Sequence, residues 1–259
     1  MLLAVDIGNS NIVLGRLVAG EVTGTARLPT LREETVSSSE ERLVRALGAL
    51  FPDHVSAAIV ASVVPSLAAL WASAISKRLH VPVCIVDHST DTGVRLGVEH
   101  PEQVGADRYV NLAALVGELA KTPGTGALVV DCGTATTFDV LAPNGDFLGG
   151  AIAPGMTVAA DALTSRAPRL PEVRLEAPPH AIATTTVDAI RSGIVFGYAG
   201  LVEALVARIR REVSFPLRVY ATGGLGPTVA SHCACFDVVD PLLTLRGLGC
   251  IHARLAASR

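Results

Sequence analysis

Leu2-Leu3-Ala4-Val5-Asp6-Ile7-Gly8-Asn9-Ser10-Asn11 opens the chain and decides how the rest is read. A short apolar run describes a buried strand, and this one ends in a carboxylate followed by Gly8 and a polar Asn-Ser-Asn. A carboxylate at the end of a buried strand carries a desolvation cost unless something pairs with it. Gly8 permits a tight turn and close backbone approach, and the small polar side chains after it can donate hydrogen bonds to an anion. The combination suits a nucleotide phosphate with its hydrated metal ion, Asp6 on the metal side and the turn on the phosphate side. An ordinary Asx-Gly hairpin satisfies the same residues, so this stretch alone leaves both readings open.

A second copy changes the balance. Ala127-Leu128-Val129-Val130-Asp131-Cys132-Gly133-Thr134-Ala135-Thr136-Thr137 repeats the order of apolar strand, Asp, one residue, Gly and small polar residues, 125 residues downstream. The correspondence continues. An apolar run from Asn11 to Val18 turns at Ala19-Gly20-Glu21, and one from Thr137 to Leu141 turns at Pro143-Asn144-Gly145-Asp146, with Gly20 and Gly145 at the same offset. Each copy reads as strand, turn, strand, turn, strand. A repeat of this length predicts two similar domains, each offering an Asp-Gly turn to a shared central cleft.

Length and composition agree. At 259 residues the chain has room for one or two domains, at about 150 residues each. Half of it is hydrophobic, enough for a large core. A net charge of −3 without a basic block gives no footprint for nucleic acid. Cys84, Cys132, Cys233, Cys235 and Cys250 are odd in number and scattered, which fits reduced thiols in a cytoplasmic protein better than a disulfide framework. The opening apolar run meets Asp6 too soon for a signal peptide, and no later stretch reads as a membrane span.

Between the two copies, Glu40 to Leu50 has Leu43, Val44, Leu47 and Leu50 at helical spacing, with Arg42 and Arg45 turned away and Ser37 to Ser39 as the capping region. Ala57 to Val64 reads as a buried strand, Leu67 to Leu79 as a helix and Val83 to Val86 as a strand, an alternation that argues an α/β sheet. Ser62 either lines the cleft or caps the next helix, and capping is the simpler account. A loop from Asp87 to Gln103 delivers Gly105-Ala106-Asp107-Arg108 to a helix over Asn111 to Leu119. Two opposite charges behind a glycine at a helix start have two accounts. One is a dipole-favoured cap with a local ion pair. In the other, Asp107 accepts a proton from a substrate hydroxyl while Arg108 grips an anionic group.

Thr122 to Gly126 is the expected linker, dividing the chain into domains 1–121 and 122–259. In the second domain, Gly149 to Gly155 lets a ligand approach the backbone. Ala159 to Leu163 reads as a helix, and a Pro-rich excursion follows to Pro179. Thr184 to Thr186 precede a helix over Val187 to Tyr198 whose glycines suit close packing, as across a dimer interface. The threonines themselves are also ordinary N-caps. A further helix is expected over Gly200 to Val213, a strand over Leu217 to Ala221, a nucleotide-type loop at Thr222-Gly223-Gly224-Leu225-Gly226 and a closing helix over Leu243 to Leu255. His232-Cys233-Ala234-Cys235 lacks the second ligand cluster a metal site needs.

Taken together, the Asp6 to Asn11 turn, Gly105-Ala106-Asp107-Arg108, Asp131-Cys132-Gly133-Thr134-Ala135-Thr136, Gly149 to Gly155 and Thr222-Gly223-Gly224 resemble type III pantothenate kinase over nearly the whole chain. The resemblance implies two duplicated ribonuclease-H-like domains of the actin-like ATPase fold. It also implies phosphoryl transfer from ATP to the terminal hydroxyl of pantothenate, the first step of coenzyme A synthesis. By the same resemblance, Asp6, Ile7, Gly8, Asn9, Ser10, Asn11, Ile12 and Val13 hold ATP phosphates and magnesium, and Thr134 contacts ATP. Asp107 is the proton acceptor, with Gly105, Ala106 and Arg108 around the substrate. Asp131 binds a potassium or ammonium ion, Thr186 contacts pantothenate, and the protein is a homodimer. Ser10 stands where the family more often has Thr, keeping the hydroxyl. Ala183-Thr184-Thr185 stands where the family usually has a glycine and a basic residue. A non-catalytic regulatory relative and a kinase of the same fold acting on another small alcohol are the competing accounts. The intact Asp6, Asp107 and Asp131 weigh against the first.

Overall fold

A computed structural model describes residues 1–48 and 54–258 of the chain, which form two compact units. In the first, β1 (Leu2–Ile7), β2 (Asn11–Val18) and β3 (Glu21–Pro29) form an antiparallel meander. After α1 (Val36–Gly48), β4 (Ala57–Ser62) adds to β1 in parallel, and after α2 (Pro65–Leu79), β5 (Val83–Ile85) adds to β4. The sheet order is β3-β2-β1-β4-β5. Alternation along the strands sends Leu3, Val5, Ile7, Ile12, Leu14 and Val60 to one face. There they pack with Leu43 and Leu47 of α1 and Leu67, Trp71 and Ile75 of α2.

Helix α1 departs from its sequence reading in three ways. Thr35 is its cap, exchanging hydrogen bonds with Ser38 (Ser38 N–H to Thr35 Oγ1, 3.2 Å; Thr35 N–H to Ser38 Oγ, 3.0 Å), so Ser37 to Ser39 lie inside the helix. Val44 is exposed, and Leu50 lies outside the described residues. Arg42 turns inward. It forms an ion pair with the buried Glu34, lies 5.7 Å over the Trp71 ring and donates to the Pro29 carbonyl. Glu34 also accepts from Ser39 Oγ (2.5 Å) and Trp71 Nε1 (3.1 Å). A carboxylate with three donors around it is what allows an arginine to leave the solvent face.

The segment expected as a loop contains β6 (Arg95–Leu96) and a short 3-10 turn at Pro101–Gln103. Gly145 to Phe147 belong to this unit, where Asp146 and Phe147 pair in parallel with Arg95 and Leu96. Helix α3 (Ala106–Leu119) starts directly behind Gly105, ahead of the apolar periodicity that marked its expected start at Asn111, so Asp107 and Arg108 occupy its first turn.

The second unit repeats the plan. β7 (Gly126–Cys132), β8 (Ala135–Leu141) and the part of β9 (Asp146–Pro154) from Leu148 onward are its meander. After α4 (Met156–Arg166) and α5 (Thr186–Glu212) come β10 (Leu217–Thr222), α6 (Gly226–Ala230) and β11 (Val238–Val239). The order β9-β8-β7-β10-β11 matches that of the first unit strand for strand, and the parallel additions β10 and β11 correspond to β4 and β5. Gly20 and Gly145 close equivalent turns at φ of 88° and 86°, a conformation that a Cβ disfavours. The 125-residue offset hides one local slip. Asp6 pairs with Val13, whereas Asp131 pairs with Thr137, so the second hairpin is one residue tighter.

Two expected helices are a single one. α5 runs through Gly200 without a break, and Val195, Tyr198, Val202 and Val206 seat it in the core with Leu128, Val130, Phe138 and Val219. By length and composition α5 is apolar enough to cross a membrane, a test that a core helix also passes. Residues 167–185 contain no helix or strand, and Leu175 and Ala177 from this stretch pack on the core.

The sequence-based boundary placed everything after Thr122 in the second domain. Instead, the C-terminal segment from Leu242 packs with the first unit. Helix α7 (Leu243–Ala257) buries Leu243, Leu245, Leu248 and Ile251 there, Leu245 lying against Gly15 of β2. Thr244 Oγ1 donates to the buried Asn111 (2.7 Å), and Arg246 pairs with Glu118 (2.6 Å).

Removing one partner of the Glu34–Arg42 pair strands a buried charge. Glu34→Ala is expected to lower stability by about 3–5 kcal/mol, read by urea denaturation. Replacing both Glu34 and Arg42 by Met should recover most of that loss. Equal losses in the single and double variants would contradict this account.

Candidate active site

The two Asp-Gly turns lie at equivalent strand ends, one in each unit. In the first, Ile7 pairs with Ile12, and the Gly8 N–H closes the turn onto the Asn11 carbonyl (2.9 Å). Thr30 ties the turn from below, its hydroxyl donating to the Gly8 carbonyl (2.7 Å) and its N–H to that of Ser10 (2.9 Å). Asn9 and Ser10 are exposed at the tip, and Asp6 is half-buried. Ile7 and Ile12 are fully buried in the core. Of these two, only the backbone faces the turn. Val13 is half-buried beside Asp6, its register partner.

Gly105 to Arg108 come to the same edge of this unit. The Val63 N–H donates to the Ile7 carbonyl at 3.0 Å, which holds the chain leaving β4 against the start of the turn. Gly105 packs on Val63: a Cβ built on Gly105 would come within 3.4 Å of Val63 Cγ1 and 2.6 Å of Asp107 Oδ1. The Asp107 carboxylate therefore occupies the space that a side chain at 105 would fill. Its Oδ1 accepts from the Arg108 N–H (2.9 Å), which it shares with the Gly105 carbonyl (3.1 Å) in the first turn of the helix. The Arg108 guanidinium stacks 5.3 Å over Phe147, which fixes its plane. Tyr109, next in the helix, is pushed well above its ordinary range by burial and by the charges of Asp87 and Asp107, so it stays a neutral phenol. Ser62 does not take part. Its hydroxyl accepts from the Val64 N–H (3.0 Å) and donates to the Val64 carbonyl (2.9 Å), closing the turn into α2.

In the second unit the Gly133 N–H bonds the Ala135 carbonyl (3.1 Å), and the Gly155 N–H bonds that of Thr134 (3.0 Å), which leaves the Thr134 side chain exposed at the tip. Gly223 has φ of 83°, and any Cβ there would overlap Asp131 Oδ1 and the Cys132 carbonyl. The loop after β10 thus lies directly on the Asp131 carboxylate, held by the Leu225 N–H on the Cys132 carbonyl (3.1 Å). The Cys132 thiol is pushed up to about 12, by burial first and by Asp131 second, so it adds no charge beside that carboxylate.

Thr186 is the exposed first residue of α5, beside a shallow depression lined by Leu163, Leu170, Ile190 and Ile194. The capping role falls to Thr185, which accepts from the Asp188 N–H (3.1 Å), so the Thr186 hydroxyl is not the cap. Arg191, 3.4 Å from Asp188, steadies the same turn.

The sequence reading passed over Asp139. It is fully buried on β8 and accepts from Thr137 Oγ1 (2.8 Å). An Asp inside the apolar run Phe138-Asp139-Val140-Leu141 was the available signal. Among the described residues no group of three His, Cys, Asp or Glu is placed to hold a metal. Cys233 donates to the Ala199 carbonyl (3.6 Å) and His232 sets its ring edge-on to Phe196, so the His-Cys-Ala-Cys run serves packing.

A strand-end carboxylate beside a polar glycine turn, present once in each unit, suits a phosphate and its counter-ion. A third carboxylate at a helix start beside one of those turns suits proton transfer. Comparison with known proteins points the same way. The type III pantothenate kinase family pattern matches residues 2–208. The type III pantothenate kinase of Moorella thermoacetica is 40% identical over 257 residues, covering 98% of this chain and 99% of that protein. Among solved structures, one described as a Baf-family transcriptional activator from Campylobacter jejuni is similar with a TM-score of 0.61 at 20% identity, covering 98% of this chain and 99% of that one. The ROK hexokinase of Thermus thermophilus has a TM-score of 0.51 at 12% identity, covering 98% and 99%. At such identities the structural likeness speaks for the fold alone. It is the actin-like ATPase fold of two ribonuclease-H-like units, as the repeated strand order requires. By the length and identity of the sequence match, the chain belongs to the type III pantothenate kinase family.

Proposed function

We propose that the chain carries out its family's reaction, the ATP-dependent phosphorylation of pantothenate that opens coenzyme A synthesis, with Asp107 as the proton acceptor. The observation that carries this reading is the seat of Asp107: its carboxylate lies over Gly105, which packs on Val63, itself bonded to Ile7 at the mouth of the Asp6 turn. An acceptor of protons and a cradle for phosphates on one edge of one unit are what phosphoryl transfer to an alcohol needs. The hydroxyl oxygen of pantothenate bonds to the γ-phosphorus, and the bond to the bridging oxygen breaks. ADP leaves with that electron pair, and the hydroxyl proton passes to the Asp107 carboxylate.

The remaining roles follow the same logic. The backbone of Ile7, Gly8 and Ile12 and the side chains of Asn9, Ser10, Asn11 and Val13 border the phosphates, and Thr134 is assigned an ATP contact. Gly105, Ala106 and Arg108 border pantothenate, and the Arg108 guanidinium, oriented by Phe147, meets its anionic end. Thr186 contacts pantothenate through a hydroxyl that the helix cap does not use. The half-buried Asp6 fits magnesium. The Asp131 carboxylate, crowded by Gly223 and next to the neutral Cys132 thiol, fits a single potassium or ammonium ion. When bound, these ions supply positive charge against the phosphoryl oxygens as charge develops on them.

A homodimer is supported by exposed apolar side chains of the second unit, Ile152, Leu163, Ile182 and Val187, and by Gly193 and Gly197 of α5, where an added Cβ would meet nothing within 4 Å. A cytoplasmic location fits five cysteines that form no disulfide with one another. The net charge of −3 fits a small-molecule enzyme that engages neither nucleic acid nor membrane.

In a coupled assay with ATP, magnesium, potassium and pantothenate, ADP should form at a rate that falls when potassium is replaced by choline. Turnover with another alcohol but none with pantothenate would remove the substrate assignment. Asp107→Asn should lower kcat by about 10²- to 10⁴-fold with an unchanged melting temperature, and a near-normal rate would rule out its role as base. Leu163→Arg should shift sedimentation from dimer to monomer, whereas an unaltered dimer would place the interface elsewhere.

A further inference from the structure

The strand β7 lies between β8 and β10, and its register sets Asp131 opposite Thr137 on one side and Thr222 on the other. Leu128, Val130, Cys132, Phe138, Val140, Leu217 and Val219 all face the core cluster, so by alternation Asp131, Thr137 and Thr222 share the opposite face. Adjacent strands are about 4.8 Å apart. Three oxygen-bearing side chains therefore stand in one row across the sheet.

The ends of the row differ in their hydrogen bonding. Thr137 gives its hydroxyl proton to Asp139 (2.8 Å), which leaves its oxygen as a lone-pair donor. Thr222 is 1% exposed, and its hydroxyl has no hydrogen-bond partner. An unpaired buried hydroxyl is unfavourable and uncommon, and an ion absent from the protein chain itself is one of its few explanations. The chain beyond Thr222 is pressed onto Asp131 by Gly223, whose Cβ would overlap the carboxylate.

The first unit serves as a built-in control. The same row there reads Val13, Asp6, Ala61. The fold accepts apolar residues on both sides of the strand-end carboxylate, so nothing in the sheet demands two hydroxyls around Asp131. What they add is neutral oxygen. One carboxylate with neutral oxygens beside it suits a large monovalent cation, which exchanges its hydration shell for such ligands.

We propose that Thr222 is a direct ligand, through Oγ1, of the monovalent cation assigned above to Asp131, with the Thr137 oxygen completing the row. The inference rests on that assignment. It makes Thr222 a determinant of cation affinity rather than of nucleotide contact.

The test is thermal unfolding of the full chain with ADP and magnesium, titrating potassium chloride against choline chloride at constant ionic strength. The wild type should be stabilised by potassium. Thr222→Val, of equal size but without the hydroxyl, should need about 10- to 100-fold more potassium for half of the effect, while Thr222→Ser stays within about threefold of wild type. In choline alone the order should reverse, the Val variant melting at or above wild type because it buries no unpaired hydroxyl. Thr222→Ala carries the same potassium expectation and replaces the Val variant if that fails to fold. A Val or Ala variant with the wild-type potassium midpoint would overturn the proposal and leave Asp131 in place. If neither wild type nor Asp131→Asn responds to potassium, the cation assignment itself falls, and the role of Thr222 with it.

Discussion

A carboxylate at the end of a buried strand is the constraint on which this protein turns. Asp6 and Asp131 each cap an apolar run whose other side chains belong to a dry core. Such a group is stable as an anion only where donors or cations reach it. The glycine turns, the threonine tether at Thr30 and the close approach of Gly223 keep that end of each sheet open to such partners while the rest of the strand stays sealed. Asp107 is handled differently. It sits at a helix start and accepts from the Arg108 N–H, a donor shared with the Gly105 carbonyl, which suits a group that must gain and lose a proton rather than hold an ion.

The duplication shows which features belong to the scaffold and which to the chemistry. Strand order, turn glycines and the strand-end carboxylate recur in both units. The residues flanking the carboxylate do not: Val13 and Ala61 border Asp6, while Thr137 and Thr222 border Asp131. One ancestral plan has thus been given two electrostatic surroundings. A cation beside Asp6 would rely on water and substrate oxygens, whereas one beside Asp131 would have side-chain oxygen within the sheet.

Much of this was legible before any coordinates. Short continuous apolar runs and the repeated Asp-x-Gly located both meanders, because strand composition and turn chemistry are local properties. The assignment of α7 to the second domain failed for the opposite reason. Which sheet Leu245 covers is decided by Gly15, far away in the chain, and no local pattern carries that information. Arg42 was misjudged as solvent-facing because its partner Glu34 precedes the helix and the pairing depends on Trp71 closing over both. α5 looked like two helices because glycines usually interrupt, yet Gly193, Gly197 and Gly200 are tolerated where tertiary packing holds the rest of the helix. The role of Asp107 was visible as chemistry but not as geometry, since its seat depends on Val63, a residue with no polar signature.

The return of the last helix has a consequence for biosynthesis. Four apolar side chains of α7 complete the first unit. At about 1.5–3 kcal/mol each, they represent much of the roughly 5–15 kcal/mol that holds a domain folded. The opening half of the polypeptide therefore leaves the ribosome unable to finish its own fold. It must wait, partly open and in need of protection, until the whole intervening unit and α7 have been translated.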